Sequence, residues 1–158
     1  MSAQPESAWR LYPMHPSHLP QVLMIEQEAY THPWTEGIFS DCLRVGYSAW
    51  VVTNTLGEVQ AYALMSMAVG EAHILNICVA PDQRRQGMAG FLLRHLLMVA
   101  HAAGVTLVLL EVRKSNDAAQ KLYMDFSFAK IGERRDYYPA REGREDALVL
   151  ALELTGSQ

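Results

Sequence analysis

Apolar positions recur along this chain with two different periods, and the switches between them mark its elements. Leu19, Val22, Leu23, Met24, Ile25 and Ala29 crowd at helical spacing, which predicts a core-facing helix from Ser17 to Tyr30. Before it, Ala8 to Tyr12 reads as a short strand ended by Pro13, and residues 1–7 read as a frayed end. Thr31-His32-Pro33-Trp34-Thr35 breaks the helix. Thr35 is placed to cap a second helix with Glu36 in its first turn. That helix carries Ile38, Phe39, Cys42 and Leu43 as its stripe, and Gly46 closes it. Tyr47 to Thr53 and Glu58 to Val69 read as strands joined in a hairpin at Asn54-Thr55-Leu56-Gly57. Gly70 separates them from a further strand, Glu71 to Val79.

The second half continues in the same way. Arg85 to Ala103 predicts a long helix with Met88, Leu92, Leu96, Val99 and Ala103 on one face and Gly104 as its stop. Thr106 to Val112 is apolar on both faces, which implies a strand covered on both sides. Ser115-Asn116-Asp117 caps a short helix carrying Ala119, Leu122, Tyr123 and Phe126. Phe128 to Tyr138 and Ala147 to Leu152 are two more strands, joined by Pro139-Ala140-Arg141-Glu142-Gly143. The order β-α-α-β-β-β-α-β-α-β-β predicts an α/β (α+β) fold: a mixed central sheet of about seven strands with helices on both faces. No repeat, linker or low-complexity tract interrupts it, so residues 1–158 read as a single domain.

Composition narrows the function classes. The net charge is −4 and no basic run exists, which argues against direct nucleic-acid binding as the main task. An acidic surface suits a cationic peptide better. Cys42 and Cys78 make no disulfide framework and read as structural thiols in a reducing cytoplasm. The polar start lacks a signal peptide, and no apolar run reaches transmembrane length. These features predict a cytoplasmic protein with no membrane partner. His15 and His18 share a helix start without a third ligand, so no metal site is expected.

The stretch from Ile74 to Gly90 carries candidate chemistry. A buried strand runs into the breaker Ala80-Pro81-Asp82, then two arginines, Gln86, Gly87 and a helix start. Amide groups without partners in a first helical turn bind phosphate, and the helix dipole adds to the attraction. Gly87 permits close backbone approach, and Arg84 and Arg85 supply charge for a diphosphate. The loop lacks both the Gly-Lys-Ser/Thr of a Walker loop and the G-x-G-x-x-G of a dinucleotide fold. Packing alone can also explain it. Glu111 stands inside an apolar strand, where a carboxylate is costly unless paired or working. It is either a reactive base or a strand-end partner of Arg113. Tyr123 is either an acid or core packing, and Asn116 either a cap or a ligand.

Arg84-x-x-Gly87-x-Ala89 resembles the coenzyme A loop of the Gcn5-related N-acetyltransferases, Gln/Arg-x-x-Gly-x-Gly/Ala. L-E-V-R-K-S-N-D-A-A-Q-K-L-Y-M-D-F-S-F is similar to one of its subfamilies, the bacterial ribosomal-protein-alanine N-acetyltransferases. H-P-W-T and R-D-Y-Y-P…G-R-E-D-A resemble theirs as well, and the likeness spans roughly residues 22 to 152. Ser127 departs from the subfamily's usual glycine, and Ala89 replaces the loop's second glycine. The resemblance implies acetyl-coenzyme A as cosubstrate and no metal. It implies, as acceptor, the N-terminal alanine of small-subunit ribosomal protein eighteen. It implies Glu111 as general base and Tyr123 as general acid. Ile77, Cys78 and Val79 would hold the pantetheine arm, Arg84, Arg85, Gln86, Gly87, Met88, Ala89 and Gly90 the pyrophosphate, and Asn116 a further cosubstrate contact. Trp34, Tyr137 and Tyr138 would line the acceptor groove, between the H-P-W segment and the C-terminal hairpin. Strand alternation lets only one of the two tyrosines face it unless a bulge intervenes, and Tyr138 is favoured.

The physical case is compatible. Acetyl transfer needs a neutral amine, and an α-amino group, with a pKa of about 8, is an easier target than a lysine at about 10.4. Glu111, directly or through water, would serve if its pKa is raised toward neutrality. Tyr123 either has a lowered pKa or only hydrogen-bonds the leaving thiolate. Two other readings stay open: a small amine or internal lysine as acceptor, and a module that binds coenzyme A without turnover.

Overall fold

Thr35 caps a helix as its position predicts: its hydroxyl accepts the Ile38 N–H, and α2 runs Glu36–Arg44 behind it. At the far end Gly46, at φ +83°, donates its N–H to Leu43 O, and Tyr47 N–H reaches back to Cys42 O. This is the left-handed glycine stop that ends many helices. The computed structural model describes residues 8–155; the expected fraying of residues 1–7 lies outside them. The remaining elements are β1 (Arg10–Pro13), α1 (Leu19–Ala29), β2 (Ser48–Thr53), β3 (Val59–Ala68), β4 (Glu71–Val79), α3 (Met88–Ala102), β5 (Leu107–Arg113), α4 (Asp117–Asp125), β6 (Ala129–Pro139) and β7 (Arg144–Glu153). Pro13 is the last paired residue of the edge strand β1, opposite Trp50, instead of lying just beyond the strand, the position where a missing N–H is tolerated.

The strands hydrogen-bond in the order β1-β2-β3-β4-β5-β7-β6 in one seven-stranded sheet. β4 and β5 are parallel, whereas β1–β2, β2–β3, β5–β7 and β6–β7 are antiparallel. The sheet is therefore mixed, with four α-helices among the described residues, as the order of apolar periods predicts. Two compact units divide the chain: the residues up to Met65 with Asn76–Leu96, and Ser66–Leu75 with Leu97 onward.

In the first unit the register explains the layering. Tyr62 stands opposite Val51, and Ala63 opposite Trp50, so Tyr62 and Trp50 leave the sheet on opposite faces. Phe39 of α2 meets the Tyr62 ring edge-on, and Glu26 of α1 accepts the Tyr62 hydroxyl proton. Trp50 meets His95 of α3. Hence α1 and α2 cover one face of this part of the sheet and α3 the other.

Two apolar stripes differ from expectation. α3 begins at Met88, not Arg85, because Arg85 and Gly87 hold φ of +65° and +83°, which no right-handed helix contains. Its buried positions are Met88, Leu92, Leu93, Leu96 and Ala100, while Ala103 is exposed. Steps of four overrun the 3.6-residue turn, so a stripe extended by fours rotates away from the core. Met24 and Ile38 are also exposed, because Leu19, Val22, Ile25 and Glu26 form the buried face of α1, and Phe39 and Cys42 that of α2.

Glu26, a carboxylate on α1, is 1% exposed. Its Oε1 accepts from Tyr62 Oη at 2.6 Å and Asn76 Nδ2 at 3.0 Å, and its Oε2 from the Trp34 amide at 2.9 Å. One carboxylate thus ties the Trp34 segment to β3 and β4, with three donors offsetting its desolvation. In Glu26→Gln one acceptor oxygen becomes an amide that faces a donor. We expect a loss of about 1–3 kcal/mol, the cost of an unsatisfied buried polar group. Urea titration should show a lower midpoint at unchanged slope, and an unchanged midpoint would contradict the network's role.

In the second unit β5 alternates: Val108, Leu110 and Val112 are buried, and Leu107, Leu109, Glu111 and Arg113 only half-buried. α4 starts at Asn116, whose side chain accepts the Ala119 N–H, the cap its sequence predicts. Tyr123 turns inward and meets Phe128 edge-on at 5.6 Å.

Candidate active site

β5 brings Glu111 to the middle of a polar cluster in the second unit. Its side chain is 7% exposed. Its Oε1 lies 2.8 Å from His73 Nε2 and accepts the Tyr137 hydroxyl at 3.2 Å. The hydrogen bond from His73 outweighs burial, with help from Tyr137 and the Arg134 charge, and holds the carboxyl below its ordinary range. The expected rise toward neutrality is therefore corrected: burial raises the value, but two donors and a nearby cation win. Arg113 is not its partner. That guanidinium pairs with Glu145 at 3.2 Å and sits over the Tyr138 ring at 4.6 Å.

The two tyrosines do not alternate simply. Between Arg134↔Ala147 and Tyr138↔Glu145 the register shifts, so β6 holds two more residues than β7 there. Asp136 sits in this bulge at φ +54°, its N–H held by Asp146 Oδ1. A bulge re-aims side chains. Here it gives Tyr137, not the favoured Tyr138, the direct bond to Glu111, and the two rings meet edge-on at 4.8 Å. Burial first, then the neighbouring Tyr137 and Glu111, pushes the Tyr138 hydroxyl up. Burial also pushes the Tyr123 phenol up, to about 12.

The other candidates in this unit and the first are placed as follows. Asn116 uses its side-chain oxygen for the α4 cap. In the first unit Ile77 and Val79 are half-buried and Cys78 buried at the end of β4. Burial pushes the Cys78 thiol up, which leaves it a poor nucleophile. Arg84 and Arg85 are exposed, and among the described residues neither forms an ion pair. The first helical hydrogen bond of α3 runs from Phe91 N–H to Gly87 O. The amides of Met88, Ala89 and Gly90 precede it and face the loop mouth by helix geometry. A Cβ on Gly87 would meet no protein atom within 4 Å, so the space beside the loop is open. A glycine in left-handed conformation, three outward amides and two arginines fit a diphosphate. Trp34 is half-buried, its ring 5.2 Å from Phe39 and its amide on Glu26.

Sequence reasoning missed His73 and Glu26. The signal for His73 was faint: one histidine in an alternating strand, 38 residues from its partner. Among the described residues no group of three His, Cys, Asp or Glu could hold a metal, and no helix is long and apolar enough to cross a membrane.

Residues 9–128 match the sequence model of the acetyltransferase (GNAT) family. A ribosomal protein bS18-alanine N-acetyltransferase of Escherichia coli K12 is 39% identical over 137 residues, which cover 87% of this chain and 92% of that protein. One of Haemophilus ducreyi is 37% identical over 131 residues, covering 82% and 90%. The crystal structure of the Escherichia coli ribosomal-protein-S18-alanine N-acetyltransferase superposes with a TM-score of 0.88 at 36% identity, over 95% of this chain and 96% of that one.

Proposed function

This chain belongs to the acetyltransferase (GNAT) family, and on that premise we propose that it transfers the acetyl group of acetyl-coenzyme A to the N-terminal α-amino group of a protein. Its first substrate is the N-terminal alanine of ribosomal protein bS18. The observation that carries this reading is the 39% identity to a bS18-alanine acetyltransferase over 92% of that protein's length. The proposal treats residues 1–158 as one catalytic domain, since the family match at 9–128 draws on both units. It places the protein in the cytoplasm, where Cys42 and Cys78 stay free thiols.

The residue roles follow from the chemistry. The Arg84–Gly90 loop binds the diphosphate, and Ile77, Cys78 and Val79 run beside the pantetheine arm. Acetyl-coenzyme A supplies an activated acyl group. Glu111 is the anion of the proton-accepting site. Tyr123 stabilises the leaving thiolate by a hydrogen bond. A phenol at about 12 could hand a full proton to a thiolate near 8.5 only at a cost of roughly 5 kcal/mol. Asn116 stays a secondary candidate, since its oxygen already caps α4.

Trp34, Tyr137 and Tyr138 are the proposed acceptor contacts, large rings that give contact area at low entropy cost. Tyr138→Ala should raise the Michaelis constant for an alanine-initiated peptide and leave that for acetyl-coenzyme A nearly unchanged. Equal impairment toward both would mean lost packing under Arg113, and impairment toward neither would remove Tyr138 from the site. The function itself is tested by thiol release from acetyl-coenzyme A with an alanine-initiated basic peptide against free lysine. Preference for the peptide is the expected result. Preference for lysine would replace the acceptor class, and no release with any amine would leave a binding module.

A further inference from the structure

The parallel register of β4 and β5 sets His73 opposite Leu109. Glu111 lies two residues further along β5 on the same face, so the two side chains converge diagonally. His73 Nε2 and Glu111 Oε1 are 2.8 Å apart. The same oxygen already accepts the Tyr137 O–H, and Arg134, also on β6, adds positive charge beside it. On its own strand, His73 has Glu71 two residues away, exposed at the strand start. These groups, from β4, β5 and β6, define the charge around the imidazole.

Two donors on one oxygen, with a cation near, make Glu111 a poor place to deposit another proton. A proton would have to take Oε2 against the two donors on Oε1 and the Arg134 charge, all of which favour the ionised carboxylate. His73 is differently placed. With an ionised carboxylate at Nε2, the neutral ring keeps its proton on that nitrogen and leaves the Nδ1 lone pair open. The His73 side chain is 38% exposed and that of Glu111 7%, so the imidazole is the more water-accessible of the two groups. A histidine held by a buried carboxylate in this way is oriented for proton uptake, and its cation is stabilised once formed.

We propose that His73 takes the proton from the acceptor amine, directly or through one water, and that Glu111 acts through it as the positioning anion. The proposal rests on the acetyl-transfer reading. The α-ammonium gives one proton to Nδ1 of His73. The nitrogen lone pair then forms the C–N bond at the thioester carbonyl carbon. The C–S bond breaks with its electron pair leaving on sulfur, and the surplus proton on nitrogen passes to that sulfur. The imidazolium returns its proton to solvent. One amide, one thiol and one proton result, and no other reactant is needed.

The test is the pH dependence of kcat at saturating peptide and acetyl-coenzyme A, for the wild type and His73→Gln. In the wild type kcat should fall on the acid side in a limb that reports protonation of the base. In His73→Gln we expect kcat at pH 7 to drop by about 10²-fold or more, the scale of general-base effects, and that limb to vanish. His73→Ala is the second variant: added imidazole should restore part of its turnover, which a purely structural loss would not allow. Wild-type kcat and an unchanged limb in His73→Gln would overturn the proposal. So would a drop with the limb retained and no rescue by imidazole. If the wild type itself acetylates no peptide, the acetyl-transfer reading fails and this proposal with it, and that failure is recognised because no variant is needed to see it.

Discussion

Glu111→Gln should lower turnover by about 10²-fold or more, the usual scale for losing a general base or its essential partner. Acetyl-coenzyme A affinity should stay at the wild-type level. Gln keeps the size of the side chain but not its charge. A protonated His73 would then lose the anion 2.8 Å away, and Tyr137 would face a neutral amide oxygen in place of an anionic one. The change is confined to protonation chemistry, because none of the proposed diphosphate contacts, Arg84 to Gly90, touches Glu111 among the described hydrogen bonds. Steady-state kinetics at pH 7 and a cosubstrate titration check both halves. Equal turnover in mutant and wild type would reduce Glu111 to a structural carboxylate. Equal loss of turnover and of binding would point to a distorted fold.

Gly87→Val should weaken acetyl-coenzyme A binding at least about tenfold, which corresponds to ~1.4 kcal/mol. Two physical effects act together. Gly87 sits at φ +83°, a conformation that a β-branched residue adopts only at a cost of about 1–3 kcal/mol. The loop would relax away from it and carry the amides of Met88, Ala89 and Gly90 out of line. The valine side chain would also fill space that is open beside Gly87 and that a diphosphate needs. Gly87→Ala should show a smaller effect of the same sign. A titration that finds unchanged affinity in folded Gly87→Val would remove this loop from the binding site.

Local chemistry was legible in the chain where a single residue type decides the backbone. Thr35, Asn116, Gly46 and Gly104 cap or stop helices where expected, because each effect acts within a few residues. The start of α3 was misplaced because Arg85 takes a left-handed φ, which its side chain does not announce. The site was legible only in part. Glu111 could be singled out from its apolar surroundings, but not the direction of its pKa, which depends on His73 across the β4–β5 register. Alternation would let only one of Tyr137 and Tyr138 face a given side, and the bulge of two extra residues in β6 suspends that rule at this point. Glu26 was invisible because its three donors come from Tyr62, Asn76 and the Trp34 amide, brought together only by folding.

Ribosomal protein bS18, with its N-terminal alanine, is the expected substrate of this chain. The most direct measurement is the mass of purified, unacetylated bS18 after incubation with the protein and acetyl-coenzyme A, with the modified residue located by fragmentation. The expected result is a gain of one acetyl group, on the α-amino group of the N-terminal alanine, absent when Glu111→Gln replaces the wild type under the same short incubation. An unmodified bS18, or an acetyl group found on a lysine side chain, would contradict it.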